Sequence, residues 1–229
     1  MLPLKDNIPT VRRPYVTYAL IATNLLVWLL YEHAGAEPGL DNSVTSSGYF
    51  PCDVGGSCQA PGHPWPVTAI IAMFLHAGWA HLLGNMLFLW IFGNNVEDRL
   101  GRFRFVCLYL LGGLAATAAQ TFVTLQWGTA SDAQIPNVGA SGAIAAVLGA
   151  YILLYPGATV LTWIAPIFIL PIPAVLYLGI WFGLQLLLGS SSFTSPEAGG
   201  GVAYFAHIGG FVFGLAAVRY ILVPRKPIL

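Results

Sequence analysis

The sequence predicts an all-α polytopic membrane protein, a bundle of six transmembrane helices, on three observations. Hydrophobic residues make up 57% of the 229 and charged residues 8%, with a mean hydropathy of +0.73, whereas an ordinary soluble domain carries about 25% charged residues. Between Asp132 and Glu197 no Asp, Glu, Lys or Arg occurs, and a gap that long holds at least two spans of about 20 residues. All nine Lys and Arg fall on one side once six spans are drawn. Helices are implied because a bilayer admits only helices and closed barrels, and these runs lack the two-residue alternation of barrel strands.

The spans lie at about 15 to 33, 69 to 93, 104 to 126, 141 to 156, 168 to 189 and 203 to 222. The polar start MLPLKDNIPTVRRP leads into an apolar run of about 19 residues, longer than a signal peptide's apolar core and without a small-residue cleavage site after it, so the first span is retained. The second is MFLHAGWAHLLGNMLFLWIFGNNVED, and the third follows the Arg99 to Arg104 turn. The fourth starts at Ser141, and from there to Tyr155 a helix extends only about 22 Å against a hydrocarbon core of about 30 Å, so its first turn begins below the surface. The approach to the fifth, TWIAPIFILPIPAV, carries Pro166, Pro171 and Pro173. These break or kink helices, so the segment starts late or runs partly in the interface. The sixth contains GVAYFAHIGGFVFG. The chain thus divides into an N-terminal segment, 1–14, a six-span domain, 15–222, and a C-terminal tail, 223–229.

Lys5, Arg12 and Arg13 precede the first span, Arg99, Arg102 and Arg104 separate the second from the third, and Arg219, Arg225 and Lys226 end the chain. The positive-inside rule makes both termini cytoplasmic. Loops 34 to 68, 127 to 140 and 190 to 202 are then external, with acids and no Lys or Arg. Zero net charge gives no footprint for nucleic acid.

Depth can now be read for each polar residue. Ser141 opens the fourth span and His207 lies about 7 Å into the sixth, both from the external side, so the two match in depth. A serine in a membrane helix is ordinarily a packing residue, and a lone histidine is often a neutral one bonded to a neighbouring helix. Small residues shift that balance: Gly210 and Gly214 share the face of His207, and Ala145 and Gly149 share the face of Ser141, spacings that let two backbones approach closely. Packed together, those faces bring Ser141 and His207 within hydrogen-bonding reach, as in a serine hydrolase. No Asp or Glu lies in the second to sixth spans as drawn, so a dyad is expected rather than a triad. In the second span, His76 and His81 are five apart, about 140 degrees round a helix, with no further ligand at that depth, which argues against a metal. His81 and Asn85 share a face, and an imidazole with an amide suits an oxyanion hole. His76 reads as structural, bonding an external loop. Cys52 and Cys58 in PCDVGGSC form a disulfide candidate in an oxidising compartment, because His63 alone does not complete a metal site. Cys107 reads as a packing residue.

These residues resemble the rhomboid intramembrane serine proteases. The resemblance rests on His76, His81 and Asn85 followed by Gly93 and Glu97-Asp98-Arg99, on Gly139-Ala140-Ser141-Gly142, and on Ala206-His207 followed by Gly210 and Gly214. It covers roughly Tyr15 to Tyr220, with the three motifs in family order. The resemblance implies an endopeptidase in which Ser141 attacks the scissile carbonyl and His207 is base and then acid. His81, Asn85 and the Ser141 amide would hold the oxyanion, and Gly139 and Gly142 would be structural beside the site. It further implies transmembrane protein substrates, cut near the external end of their spanning helix, with no cofactor. Where the family often has a Trp-Arg pair before the second span, this chain has HPWPVT, His63 to Thr68, with proline after Trp65.

Two rivals differ in class. A catalytically dead relative would usually lack the serine or the histidine. A proton-conducting channel or transporter would need polar residues through both halves of the membrane, and here they cluster in the external half. An esterase elbow, G-x-S-x-G, would need glycine at Ala143. The expected location is the bacterial plasma membrane, with an organelle membrane as the alternative, and lipid and substrate are the partners.

Overall fold

The apolar runs fold into helices in a computed structural model that describes residues 1–58, 62–191 and 202–221. In chain order come β1 (Leu2–Asp6), α1 (Tyr15–Leu30), α2 (Gly39–Ser47), α3 (Pro51–Val54), α4 (Trp65–Phe74), α5 (Trp79–Leu100), α6 (Arg102–Trp127), α7 (Ser141–Leu154), β2 (Thr159–Ile164), β3 (Phe168–Pro173), α8 (Ala174–Ser191) and α9 (Tyr204–Ala216). A π-helical turn, Ala217–Ile221, extends α9. The 223–229 tail and most of the 190 to 202 loop lie outside the described residues.

Length and apolarity alone qualify α6 and α8 to cross a bilayer, and α4 with α5 makes a third only if the bent pair counts as one span. The shorter helices α1 and α7 are also apolar. Large apolar side chains such as Leu30, Leu111, Phe122, Leu176 and Leu187 face outward, as the surface of an integral membrane protein does where lipid replaces water.

Two sequence expectations need correction. The fold is not all-α: β1, β2 and β3 form an antiparallel sheet with β2 in the centre. Its prolines, Pro3, Pro171 and Pro173, stand on the edge strands, where a missing N–H breaks no central ladder. The apolar segment drawn from 168 starts late, as its prolines imply: the helix begins at Ala174, because the Pro171 and Pro173 that suit an edge strand exclude a helix. The second span is not one straight helix, since α4 and α5 meet at 82° across a four-residue break. His76 lies in that break and not on the helix of His81, so the angle of 140 degrees does not apply.

α7 is the centre of the bundle. Every residue from Gly142 to Tyr151 is buried, as expected of a helix apolar on all sides. Glycines admit its neighbours. A Cβ on Gly112 of α6 would lie 2.3 Å from the Ala146 Cβ, and one on Gly210 or Gly214 of α9 would lie 2.1 or 1.9 Å from the carbonyl oxygens of Gly142 or Ala146. Carboxylates fasten the other end of the bundle. Glu97 accepts the Val16 and Thr17 N–H groups, satisfying orphan donors where α1 has no cap of its own. Asp6 accepts the Tyr151 hydroxyl at 2.6 Å, tying β1 to α7.

Candidate active site

Ser141 is the first residue of α7, and the helix starts with no side-chain cap. Its first N–H groups therefore have no partner within the helix and point into the space beyond it. Gly139, with φ +126°, turns the chain into α7, and a Cβ there would lie 2.7 Å from His81 Nε2. Only glycine combines that backbone with so close an approach. Its N–H donates to the Ala72 carbonyl at 2.8 Å, fixing the loop against α4.

The close packing of α9 on α7 carries His207 to Ser141, with His207 Nε2 2.8 Å from Ser141 Oγ. A hydroxyl so placed can pass its proton to the imidazole as it attacks a carbonyl. The other ring nitrogen, Nδ1, lies 2.7 Å from Oε1 of Gln185 on α8, and the Trp181 ring lies 5.8 Å from the imidazole, centroid to centroid.

α5 supplies His81 and Asn85 from one face, one turn apart. The Ala77 N–H donates to His81 Nδ1 at 3.4 Å, so in the neutral ring the proton is on Nε2, the atom facing Gly139. Asn85 is buried, and its Nδ2 has no hydrogen-bond partner. Ser141, His207, His81 and Asn85 line one cavity of about 640 Å³, whose remaining wall includes the apolar Phe88, Ile144 and Leu148. A smaller cavity of about 40 Å³ lies behind Ser141, lined in part by Gln120 and Asn137.

His76 links to another segment through its backbone and not through its ring. Its ring nitrogens are buried without partners, and its ring meets the edge of His81 at 5.1 Å. The bond it makes to another segment comes from its backbone: the His76 N–H donates to Glu32 Oε1 at 2.7 Å. Among the described residues no group of three His, Cys, Asp or Glu side chains is placed to hold a metal ion.

The long loop before α4 reaches this end of the bundle. Val44 of α2 lines the larger cavity, and Tyr49 exchanges backbone hydrogen bonds with Asn137, two residues before Gly139. Cys52 and Cys58 form a disulfide in this loop, and Cys107 is free. On the loop leading to α7, the Thr129 N–H and then its hydroxyl hold the partly exposed Asp132 carboxyl below its usual range.

Two residues of this region escaped the sequence reading. Gln185 was legible as the lone amide in the apolar run of α8, and Glu32 as a carboxylate at the end of α1.

The family profile described as Rhomboid domain matches residues 62–224. Among curated proteins, the chain is 36% identical over 143 residues to rhomboid protease GluP of Bacillus subtilis, covering 62% of this chain and 25% of that protein. It is 30% identical over 157 residues to the mitochondrial Rhomboid protein 1 of Saccharomyces cerevisiae, covering 68% and 42%. It is 30% identical over 152 residues to the mitochondrial presenilin-associated rhomboid-like protein A of Danio rerio, covering 66% and 36%. The chain therefore spans less than half the length of these relatives.

Proposed function

Since the chain belongs to the rhomboid family, we propose that it is an intramembrane serine endopeptidase with Ser141 as nucleophile and His207 as general base and acid. One observation carries this reading: Ser141 Oγ and His207 Nε2 lie 2.8 Å apart on a largely apolar cavity also lined by Asn85, whose buried Nδ2 has no partner. A buried donor left unsatisfied costs about 1–3 kcal/mol. Here it is explained if an oxyanion supplies the missing acceptor during reaction.

Attack by Ser141 Oγ on a peptide carbonyl passes the hydroxyl proton to His207 Nε2. The tetrahedral oxygen takes hydrogen bonds from Asn85 Nδ2, His81 Nε2–H and the Ser141 N–H. His207 then protonates the leaving amine, giving an ester on Ser141. Hydrolysis of that ester needs water beside a site otherwise walled by apolar groups, and the 40 Å³ cavity behind Ser141 is large enough for one molecule.

The substrate class follows from the medium. An amide within a helix is shielded by its own hydrogen bonds, so a transmembrane protein is cut where small or helix-breaking residues let its helix unwind into the cavity. We place six spans, α1, the bent α4 and α5, α6, α7, α8 and α9, with both termini cytoplasmic and the Ser141 end external. The mitochondrial relatives favour an organelle membrane over the bacterial plasma membrane expected from the sequence.

Reconstitution in liposomes with a single-span substrate carrying small and helix-breaking residues at its external end tests the reading. Cleavage near that end by the wild type, and its loss in Ser141→Ala, is expected. Equal cleavage by both proteins, or none by the wild type over a panel of such substrates, overturns it.

A further inference from the structure

Gln185 is the only amide side chain on α8, a helix of otherwise mainly apolar residues, and is 9% exposed. Both ends of its amide are engaged: Nε2 donates to the Trp181 carbonyl at 3.3 Å, one turn back on the same helix, and Oε1 lies 2.7 Å from His207 Nδ1. A backbone carbonyl can only accept, so the NH₂ must face Trp181 and the amide oxygen must face the imidazole. That oxygen also can only accept. His207 Nδ1 therefore carries the proton, and in the neutral ring the lone pair of Nε2 points at Ser141 Oγ. The opposite tautomer would set two acceptors 2.7 Å apart at Nδ1 and aim an N–H at the serine oxygen, where no base would remain.

From this geometry we propose that Gln185 is a positioning residue that locks the tautomer and ring plane of His207. It occupies the third place that a carboxylate holds in a Ser-His-Asp triad. Trp181, one turn earlier, lies beside the same ring at 5.8 Å, so a single turn of α8 restrains the imidazole twice. A neutral amide suits the setting. An ionised carboxylate on an apolar helix is expensive within a bilayer, whereas an amide supplies the acceptor without a permanent charge. The site is then a Ser-His-Gln arrangement, in place of the bare dyad expected from the spans without acids. The inference rests on the protease reading for its catalytic consequence, but not for the tautomer itself.

The test combines kinetics with spectroscopy on the full chain in detergent or bilayer. Gln185→Met keeps the length and removes the acceptor, and Gln185→Glu restores an acceptor facing Nδ1. Gln185→Met is expected to lower kcat by about 10- to 100-fold with KM nearly unchanged, less than the roughly 10,000-fold loss when a triad loses its charged orienting group. Gln185→Glu is expected to recover most of that loss. Nitrogen-15 spectra of histidine-labelled protein, with His207 assigned by its absence from His207→Ala, are expected to show the proton on Nδ1 in the wild type and a mixture of tautomers in Gln185→Met. A wild-type proton on Nε2, or an unchanged kcat in Gln185→Met, overturns the proposal, and the wild-type spectrum decides even if the variant misfolds. A wild type that cleaves nothing yet shows the Nδ1 proton overturns the protease reading and leaves the tautomer lock standing.

Discussion

At the scale of single residues, Ser141→Ala and His207→Ala are each expected to reduce cleavage to background while the protein remains folded, and the double variant to be no worse than either. Nucleophile and base act as one unit, so their losses do not add. Rates on a reconstituted substrate, with thermal midpoints alongside, check this. Asn85→Ala is expected to be milder because His81 and the Ser141 amide remain as donors. Loss of one oxyanion donor costs about 100- to 1000-fold in kcat, and an unchanged single-turnover rate would remove Asn85 from that role. Ser141, His207, His81 and Asn85 stood out in the sequence because polar groups are costly in a bilayer and so are conspicuous there. Gln185 escaped because an isolated amide can also satisfy itself on its own helix, and half of its bonding does so through the Trp181 carbonyl. The bonding of His76 is not legible in the sequence because its partner, Glu32, sits 44 residues away and takes the backbone N–H, which no side-chain pattern reports.

At the scale of elements, the seam between α7 and α9 is the most exacting feature, for a Cβ at Gly210 would lie 2.1 Å from the Gly142 carbonyl oxygen, one residue from Ser141. Gly210→Leu is expected to part the two helices and lower kcat by about 100-fold or more, since even about 1 Å of misplacement costs that much. Full activity in this variant would show that the seam tolerates separation. The disulfide makes a different kind of contribution. Closing a ring across a sequence separation of 6 stabilises by roughly 2 to 3 kcal/mol in the chain-entropy model. The double variant Cys52→Ser and Cys58→Ser is therefore expected to fold, with a more mobile loop beside Val44 and a change in KM larger than that in kcat. A kcat effect alone would place the loop in the chemistry instead. Helix existence followed from apolar runs, but the β2–β3 hairpin did not. Its residues are as apolar as a span, and only the edge-strand placement of the prolines explains why they pair instead of coil.

At the scale of the whole molecule, the proposed topology puts the Ser141 end outside and the sheet inside. Single cysteines at Ser131 and Gly157, placed in a Cys107→Ser background, test it with a membrane-impermeant maleimide. Ser131→Cys is expected to label in intact cells or vesicles of native orientation, and Gly157→Cys only after permeabilisation. The reverse pattern would invert the molecule. By itself the sequence determined the medium, the helical character, the order of the apolar segments and the identities of the polar residues at one depth. Each of these is a one-dimensional consequence of transfer free energy, read from what the chain can expose to lipid. Only the tertiary structure decided the 82° break that sets His76 apart from α5, the sheet in place of the first part of a fifth span, and the amide that fixes the tautomer of His207. Those depend on contacts between segments distant in the chain, where a donor's partner is chosen by how helices pack and not by which residues stand near it in sequence.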